Sequence, residues 1–231
     1  MPNISAEECK RRVNEFLDAH KECYTEREIA YIKNNAALLA RDGKTSYGSS
    51  ILRQVYDSLG LIPKEENIYH GFIELIESHF DIDRNIVEVA GGIIPSLATK
   101  IALRQKTGTI TVYDPRIIVP TQNPKNLILK RQSFHRDIQL PGAQMIIGFM
   151  PCEAALPIVE SACLNEMDFM VALCEGGLKR GYEWLETDDE WLGYVKYLAT
   201  KGMRKKNMGT LETTDLKKYN YEYPVIYNKR K

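Results

Sequence analysis

IVEVAGGIIPSLATKIALRQKTGTITVYD, residues 86–114, decides how the chain folds. It opens with IVEVA, a short apolar run holding one acid, Glu88. The glycine pair Gly91–Gly92 follows. PSLATKIALRQK then reads as a helix, and TITVYD is β-branched and strand-like. Strand, glycine bend, helix and strand make a unit with two parallel strands and a crossover helix. Gly92 and Asp114 lie 22 residues apart, room for one helix and one strand. Asp114 should therefore emerge at the end of the second strand, beside the glycine loop.

In a parallel sheet, ligands bind beyond the carboxyl ends of the strands, near the reversal of strand order. Glycines there let a ligand approach the backbone. The next helix offers free N–H groups and a favourable dipole for a carboxylate or phosphate. A carboxylate at Asp114 can accept two hydrogen bonds from a ribose diol. The competing reading is a turn begun by Asp114–Pro115.

Downstream the alternation continues. NLILKRQSF and GAQMIIGFM read as third and fourth strands, and PCEAALPIVESACLNEM as a helix in whose first turn Pro151 is tolerated. Pro157 marks a kink or a later true start. DFMVALCEGG gives a fifth strand and turn, residues 183–200 a helix, and YPVIYNKRK a final edge strand. Upstream, residues 5 to about 60 read as helices. Ser5 with Glu8, and Thr25 with Glu28, have capping-box spacing. Ile29, Ile32, Ala36 and Leu39 recur at helical spacing up to a stop at Gly43. SSILRQVYDSLGL and IYHGFIELIESHF add two more helices. The expected fold is α/β: a doubly wound, mostly parallel sheet with an N-terminal helical cap. The expected division is a helical cap or side layer over residues 1–80 and a Rossmann-like core over 81–231.

The bulk numbers fit such a protein. The chain has 231 residues, 44% of them apolar and 27% charged, values of a globular protein. No long uncharged apolar stretch offers a membrane span, and no apolar signal core follows the polar N-terminal residues. A cytoplasmic location and no membrane partner are expected. The five cysteines are odd in number and lack CxxC spacing, so a disulfide framework is not expected. The four histidines have no H-E-x-x-H spacing, and no metal site is expected. Net charge is zero, yet from Lys201 onward nine Lys or Arg face three Asp or Glu. That tail permits an anionic partner or is simply solvated. Tyr219, Tyr221, Tyr223 and Tyr227 either stack on bases or pack a terminal strand.

EVAGGIIPSLA resembles the first motif of the class I S-adenosylmethionine (SAM)-dependent methyltransferases, an acid, one residue, then G-x-G-x-G. Glu88 matches the acid and Gly92 the middle glycine. Ala90 and Ile94 stand where the outer glycines are usual. Asp114 matches the family's ribose-binding acid. The resemblance implies SAM as cofactor, with Glu88 orienting its methionine end and Ala90, Gly91 and Gly92 lining that end. Asp137, after the third strand, would accept from the adenine amino group. The end of the fourth strand, Gly148 to Glu153, would face the methyl group and the acceptor, with Glu153 as base or amine ligand. GFMPC also resembles methyltransferase-like proteins reading G-L-H-P-C, some of which act on tRNA. Here Met150 stands where histidine is common. The P-P-Y or P-P-W ending of adenine-methylating tetrads is absent.

The implied function is SAM-dependent methyl transfer to a small molecule or RNA. The alternative is a non-catalytic nucleoside-binding or scaffold protein retaining the fold, favoured by Ile94 and Met150. A nicotinamide or flavin enzyme is disfavoured by the missing G-x-G-x-x-G. Oligomeric state is not readable.

Overall fold

The structure is a computed structural model that describes residues 4–36, 50–62, 67–120, 123–174, 184–219 and 221–230. Four helices precede the first strand: α1 (Ala6–Ala19), α2 (Glu26–Asn35), α3 (Ser50–Ser58) and α4 (Ile68–His79). Ser5 Oγ accepts from the Glu8 N–H at 3.1 Å, but the Glu8 carboxylate turns to Arg11 and Arg12 instead of closing a box. Thr25 and Glu28 form the full capping box. The expected stop at Gly43 and the expected core position Leu39 lie outside the described residues.

From Ile86 strands and helices alternate: β1 (Ile86–Val89), α5 (Ser96–Ala102), β2 (Ile110–Tyr113), β3 (Leu127–Lys130), β4 (Met145–Phe149), α6 (Ala155–Leu164), β5 (Asp168–Ala172) and α7 (Asp188–Lys206). Two further strands, β6 (Thr210–Leu216) and β7 (Tyr221–Lys229), complete a seven-stranded sheet of order β3-β2-β1-β4-β5-β7-β6. The first five strands run parallel, while β7 is antiparallel to β5 and to β6. This is a doubly wound, mostly parallel α/β fold with helices before the sheet, as expected. Pro157 sits at the third position of α6, inside its first turn, where the missing N–H costs no helical hydrogen bond, so it neither kinks the helix nor marks its start.

One expectation needs correction. YPVIYNKRK is an inner strand, not the edge, because β6 covers it. TLETTDL carries no apolar strand signal because its side chains are mostly polar, as an exposed edge requires.

Alternate residues of the strands face opposite layers. Ile86, Ile110, Met145, Ile147 and Phe149 pack with α4 and α5. Val87, Val89, Ile146, Phe169 and Val171 pack with α6 and α7. By the same parity Glu88 falls on the α4/α5 face. Helix α4 thus packs directly on the sheet. Helices α1 to α3 form a third cluster whose footing on the core is Ile93, Ile94 and Ile118. Tyr221 and Tyr227 are buried, and Tyr219 lies against Gly71 of α4, so these tyrosines pack a terminal strand.

Candidate active site

Strand order reverses between β1 and β4. The chain winds outward from β1 through β2 to β3, then returns to β4 on the other side of β1. The connections leaving β1 and β4 therefore diverge, and a crevice opens at their carboxyl ends. Both ends hold backbone in the left-handed region that non-glycine residues seldom adopt. Ala90 has φ 57°, and Met150 and Cys152 have φ 53° and 49°. Such conformations cost roughly 1–3 kcal/mol each and gather at functional sites. At Ala90, where the resemblance places a glycine, the backbone takes the shape that glycine adopts most easily.

The turn after β1 is stitched to the end of β2. The Ala90 N–H donates to the Tyr113 carbonyl at 2.9 Å, and the Ile118 N–H to the Ile93 carbonyl at 2.8 Å. Between them the Gly92 N–H donates to Asp114 Oδ2 at 3.0 Å. Asp114 Oδ1 accepts from the Arg116 N–H at 2.9 Å. Asp114 thus emerges at the end of β2 beside Gly92, and it also begins a turn. Gly92 has φ 80°, which suits glycine.

Glu88 is 2% exposed. Its carboxylate accepts from the Ala98 N–H in the first turn of α5, whose N-cap, Pro95, has no side chain to offer. Glu88 Oε2 has no hydrogen-bond partner. Burial, with Asp114 adding to it, pushes the Glu88 carboxyl up to about 8, against the Ala98 hydrogen bond. A Cβ on Gly91 would meet Val112 Cγ1 at 2.5 Å and the Glu88 carboxyl carbon at 3.3 Å. The residue there must be glycine for the turn to fold down over Glu88.

Helix α3 supplies what the sequence did not reveal. Its residues 52 to 56 are all buried. The Ile94 N–H donates to Gln54 Oε1 at 3.3 Å, and a Cβ on Gly92 would run into the Gln54 amide. Arg53 lies 5.8 Å over the Phe149 ring and donates to Met150 Sδ at 3.1 Å. Asp57 holds Lys100 of α5 at 3.1 Å. Beside Gly92 is an open cleft of about 450 Å³ lined by Arg27, Glu28, Tyr31, Ile51, Gln54, Ile93 and Arg116. Arg116 and Glu28 pair across it at 2.8 Å. The buried Arg–Gln pair within an apolar helix carried no periodic signal beyond amphipathicity, which is why sequence reasoning missed it.

The other expected residues lie farther out. Gly148 is in β4, and a Cβ there would strike Ile158 of α6 at 2.5 Å. Its smallness therefore serves helix packing. Glu153 is exposed in the single 3-10 turn Cys152–Ala154. Asp137 is exposed and pairs with Arg136 at 3.8 Å. No hydrogen bond or ion pair among the described residues ties it to the β1 turn. Tyr69 of α4 is buried against Phe149 at the end of β4.

No family model matches the chain, and no curated protein matches it. Its fold is similar to solved structures. One is magnesium protoporphyrin IX methyltransferase from Synechocystis PCC 6803 with bound SAH, at 10% identity, 86% of this chain, 94% of that one and TM-score 0.48. Another is human N-acetylserotonin methyltransferase in complex with SAM, at 13% identity, 86% of this chain, 66% of that one and TM-score 0.48. A third is a variant 16S rRNA (adenine(1408)-N(1))-methyltransferase from Catenulisporales acidiphilia, at 11% identity, 69% of this chain, 88% of that one and TM-score 0.41.

Proposed function

We propose that the protein is a SAM-dependent methyltransferase acting on a small molecule. The observation that carries this reading is the pairing of two carboxylates at one turn. Glu88 has a buried oxygen without a partner, and Asp114 is anchored to Gly92 at the reversal of strand order.

The residues present suit the cofactor. Glu88 Oε2 offers an acceptor to an ammonium group, and its desolvation makes an ion pair there strong. Asp114 is partly exposed, and its carboxylate has lone pairs left beyond its two backbone bonds. It would accept from a ribose diol. Ala90, Gly91 and Gly92 present backbone to the ligand. The cleft beside Gly92 has the size of a small-ligand pocket. Gln54 covers Gly92 with a flexible side-chain end, so ligand entry requires it to turn aside. Asp137, on the loop after β3, would serve the adenine amino group, and Gly148 would keep the fourth strand slim beside it.

SAM supplies an electrophilic methyl group on a cationic sulfur. The chain's part is to align an acceptor lone pair with that carbon and to exclude water. Glu153, at the exit of β4, would take the acceptor's proton where one must be lost. Helices α1 to α3 would carry acceptor recognition, since they stand over the turn. The cytoplasm is the proposed location.

A thermal-shift panel tests the class. S-adenosylhomocysteine and SAM should raise the melting temperature, while NAD and FAD should not. Asp114→Ala should reduce the rise, and Gly92→Leu should abolish it. No shift with either sulfur nucleoside would reject the reading in favour of a scaffold.

A further inference from the structure

The ends of β4 and β5 bring together two of the five cysteines. Cys174 Sγ donates to Cys152 Sγ across 3.4 Å, and the Cys152 N–H donates to Cys174 Sγ at 3.2 Å. Parallel pairing of β4 with β5 places the two chain segments side by side, and the Met150 N–H extends the ladder to the Ala172 carbonyl at 3.0 Å. The left-handed backbone at Met150 and Cys152 then swings the Cys152 side chain back over the end of β5. Strain of this kind persists only where the surroundings impose it.

Two of the other cysteines show what an inert thiol looks like here, while Cys23 is half-buried but has no second thiol beside it among the contacts of the described residues. Cys9 is buried and donates to the Ala36 carbonyl at 3.1 Å. Cys163 is buried in α6 against Gly202. Cys152 differs, being only half-buried, with its buried partner Cys174 directly behind it. That is the layout of an accessible thiol with a resolving one.

We infer that Cys152 and Cys174 form a reversible dithiol–disulfide pair responsive to hydrogen peroxide. The Cys152 sulfur attacks one peroxide oxygen and the O–O bond breaks, leaving a sulfenic acid at Cys152 and one water. The Cys174 sulfur then attacks the Cys152 sulfur. The S–S bond forms, the S–O bond breaks, and the hydroxyl leaves as a second water with the Cys174 proton. Two thiols and one peroxide become one disulfide and two waters. A dithiol reductant reverses the reaction by thiol–disulfide exchange. The bond would fasten the ends of β4 and β5 next to Tyr221, whose hydroxyl donates to the Leu173 carbonyl. The inference rests on the sulfur geometry alone and stands whether or not the protein transfers methyl groups.

The test uses the full, reduced chain. Hydrogen peroxide is added, remaining thiols are alkylated, and the protein is cut after glutamate without reductant. Cleavage after Glu153, Glu160 and Glu166 puts Cys152, Cys163 and Cys174 on three separate peptides, which trypsin would leave joined. The expected result is a peptide pair linked through Cys152 and Cys174, lost on treatment with dithiothreitol and absent from Cys152→Ser and Cys174→Ser. Wild type should also retain one equivalent of phenylarsine oxide, and each serine variant should retain none. Oxidation of Cys152 to the sulfinic acid with Cys174 still alkylated would overturn the inference. So would pairing of Cys152 with another cysteine, oxidation of Cys23 while the pair stays reduced, or failure of wild type to retain the arsenical.

Discussion

Glu88 concentrates the chemistry of this chain in one side chain. Its carboxyl holds a proton up to about pH 8 in the folded protein, against an ordinary value of 4.5, because burial penalises the charge. Between those values the native state binds a proton that the unfolded chain has lost. Stability from this group is therefore full below about pH 4.5, falls as pH rises through the window, and levels off above about 8. The slope approaches about 1.4 kcal/mol per pH unit. Glu88→Gln keeps an acceptor for the Ala98 N–H and cannot ionise, so urea melts of this variant should lose that slope. An unchanged slope would assign it to another group. Ligand binding should run the other way. An ammonium group pairs with the ionised carboxylate, so S-adenosylhomocysteine affinity should rise with pH up to about 8, and isothermal titration of Glu88→Gln should find the rise gone. Gln54 stands against the same turn. Removing its amide by Gln54→Ala uncovers Gly92, and cofactor affinity should increase severalfold in the same titration. A loss of affinity would mean that Gln54 is a ligand contact.

At the level of elements, two devices hold the sheet. Asp168 at the start of β5 accepts from Arg84 at 2.5 Å, from Arg230 at 2.6 Å and from Asn228 at 2.8 Å. It thereby ties the chain before β1 to the end of β7. Its side chain is 8% exposed while the arginines are 31% and 51% exposed, so solvent screens part of the pairing. Asp168→Ala should cost about 2–4 kcal/mol in chemical denaturation. Thr187 closes a capping box on α7 with Glu190, and Thr187→Ala should cost about 1 kcal/mol. What was legible in the sequence follows from which signals are local. The β1–α5–β2 unit could be read because apolar runs, a glycine bend and the interval to Asp114 all lie in one stretch. Capping at Thr25 was equally local. Strand β6 was not read, because an edge strand is mostly polar and its partner β7 comes later in the chain. The contact of Cys152 with Cys174 depends on two strands being neighbours. The cover of Gln54 over Gly92 depends on where α3 docks, and no spacing encodes either.

Across the whole molecule, the question is what the basic C-terminal part meets. Much of its charge already has a place. Arg204, Lys205 and Lys206 occupy the last turn of α7, where cations complement the helix dipole, and Asp188, Asp189 and Glu190 occupy the first. Lys206 pairs with Glu166 at 3.3 Å, Lys217 with Asp215 at 3.8 Å, and Arg230 with Asp168. Lys201 lies 5.7 Å over the Tyr197 ring and Lys218 5.3 Å over the Tyr219 ring. Of the tyrosines that would have served as stacking platforms, Tyr221 and Tyr227 are packed in the sheet and Tyr219 lies against Gly71 of α4. The structure thus uses for folding most of what composition offered to nucleic acid. Arg136, Lys201, Lys205 and Lys206 also rim a shallow groove of about 270 Å³ between α6 and α7, where Arg136 pairs with Glu160 at 3.4 Å. Single-stranded RNA displaces roughly 0.7 counterions per phosphate contact, so so few cations predict a weak salt dependence. In filter binding, log affinity against log salt should have a slope no steeper than about −2. Lys201→Glu with Lys205→Glu should leave S-adenosylhomocysteine binding unchanged, because the groove lies on the α6/α7 layer and Glu88 faces α4 and α5. A steep slope that collapses in this double variant would make RNA the acceptor and place its path along α7 instead of the cleft beside Gly92.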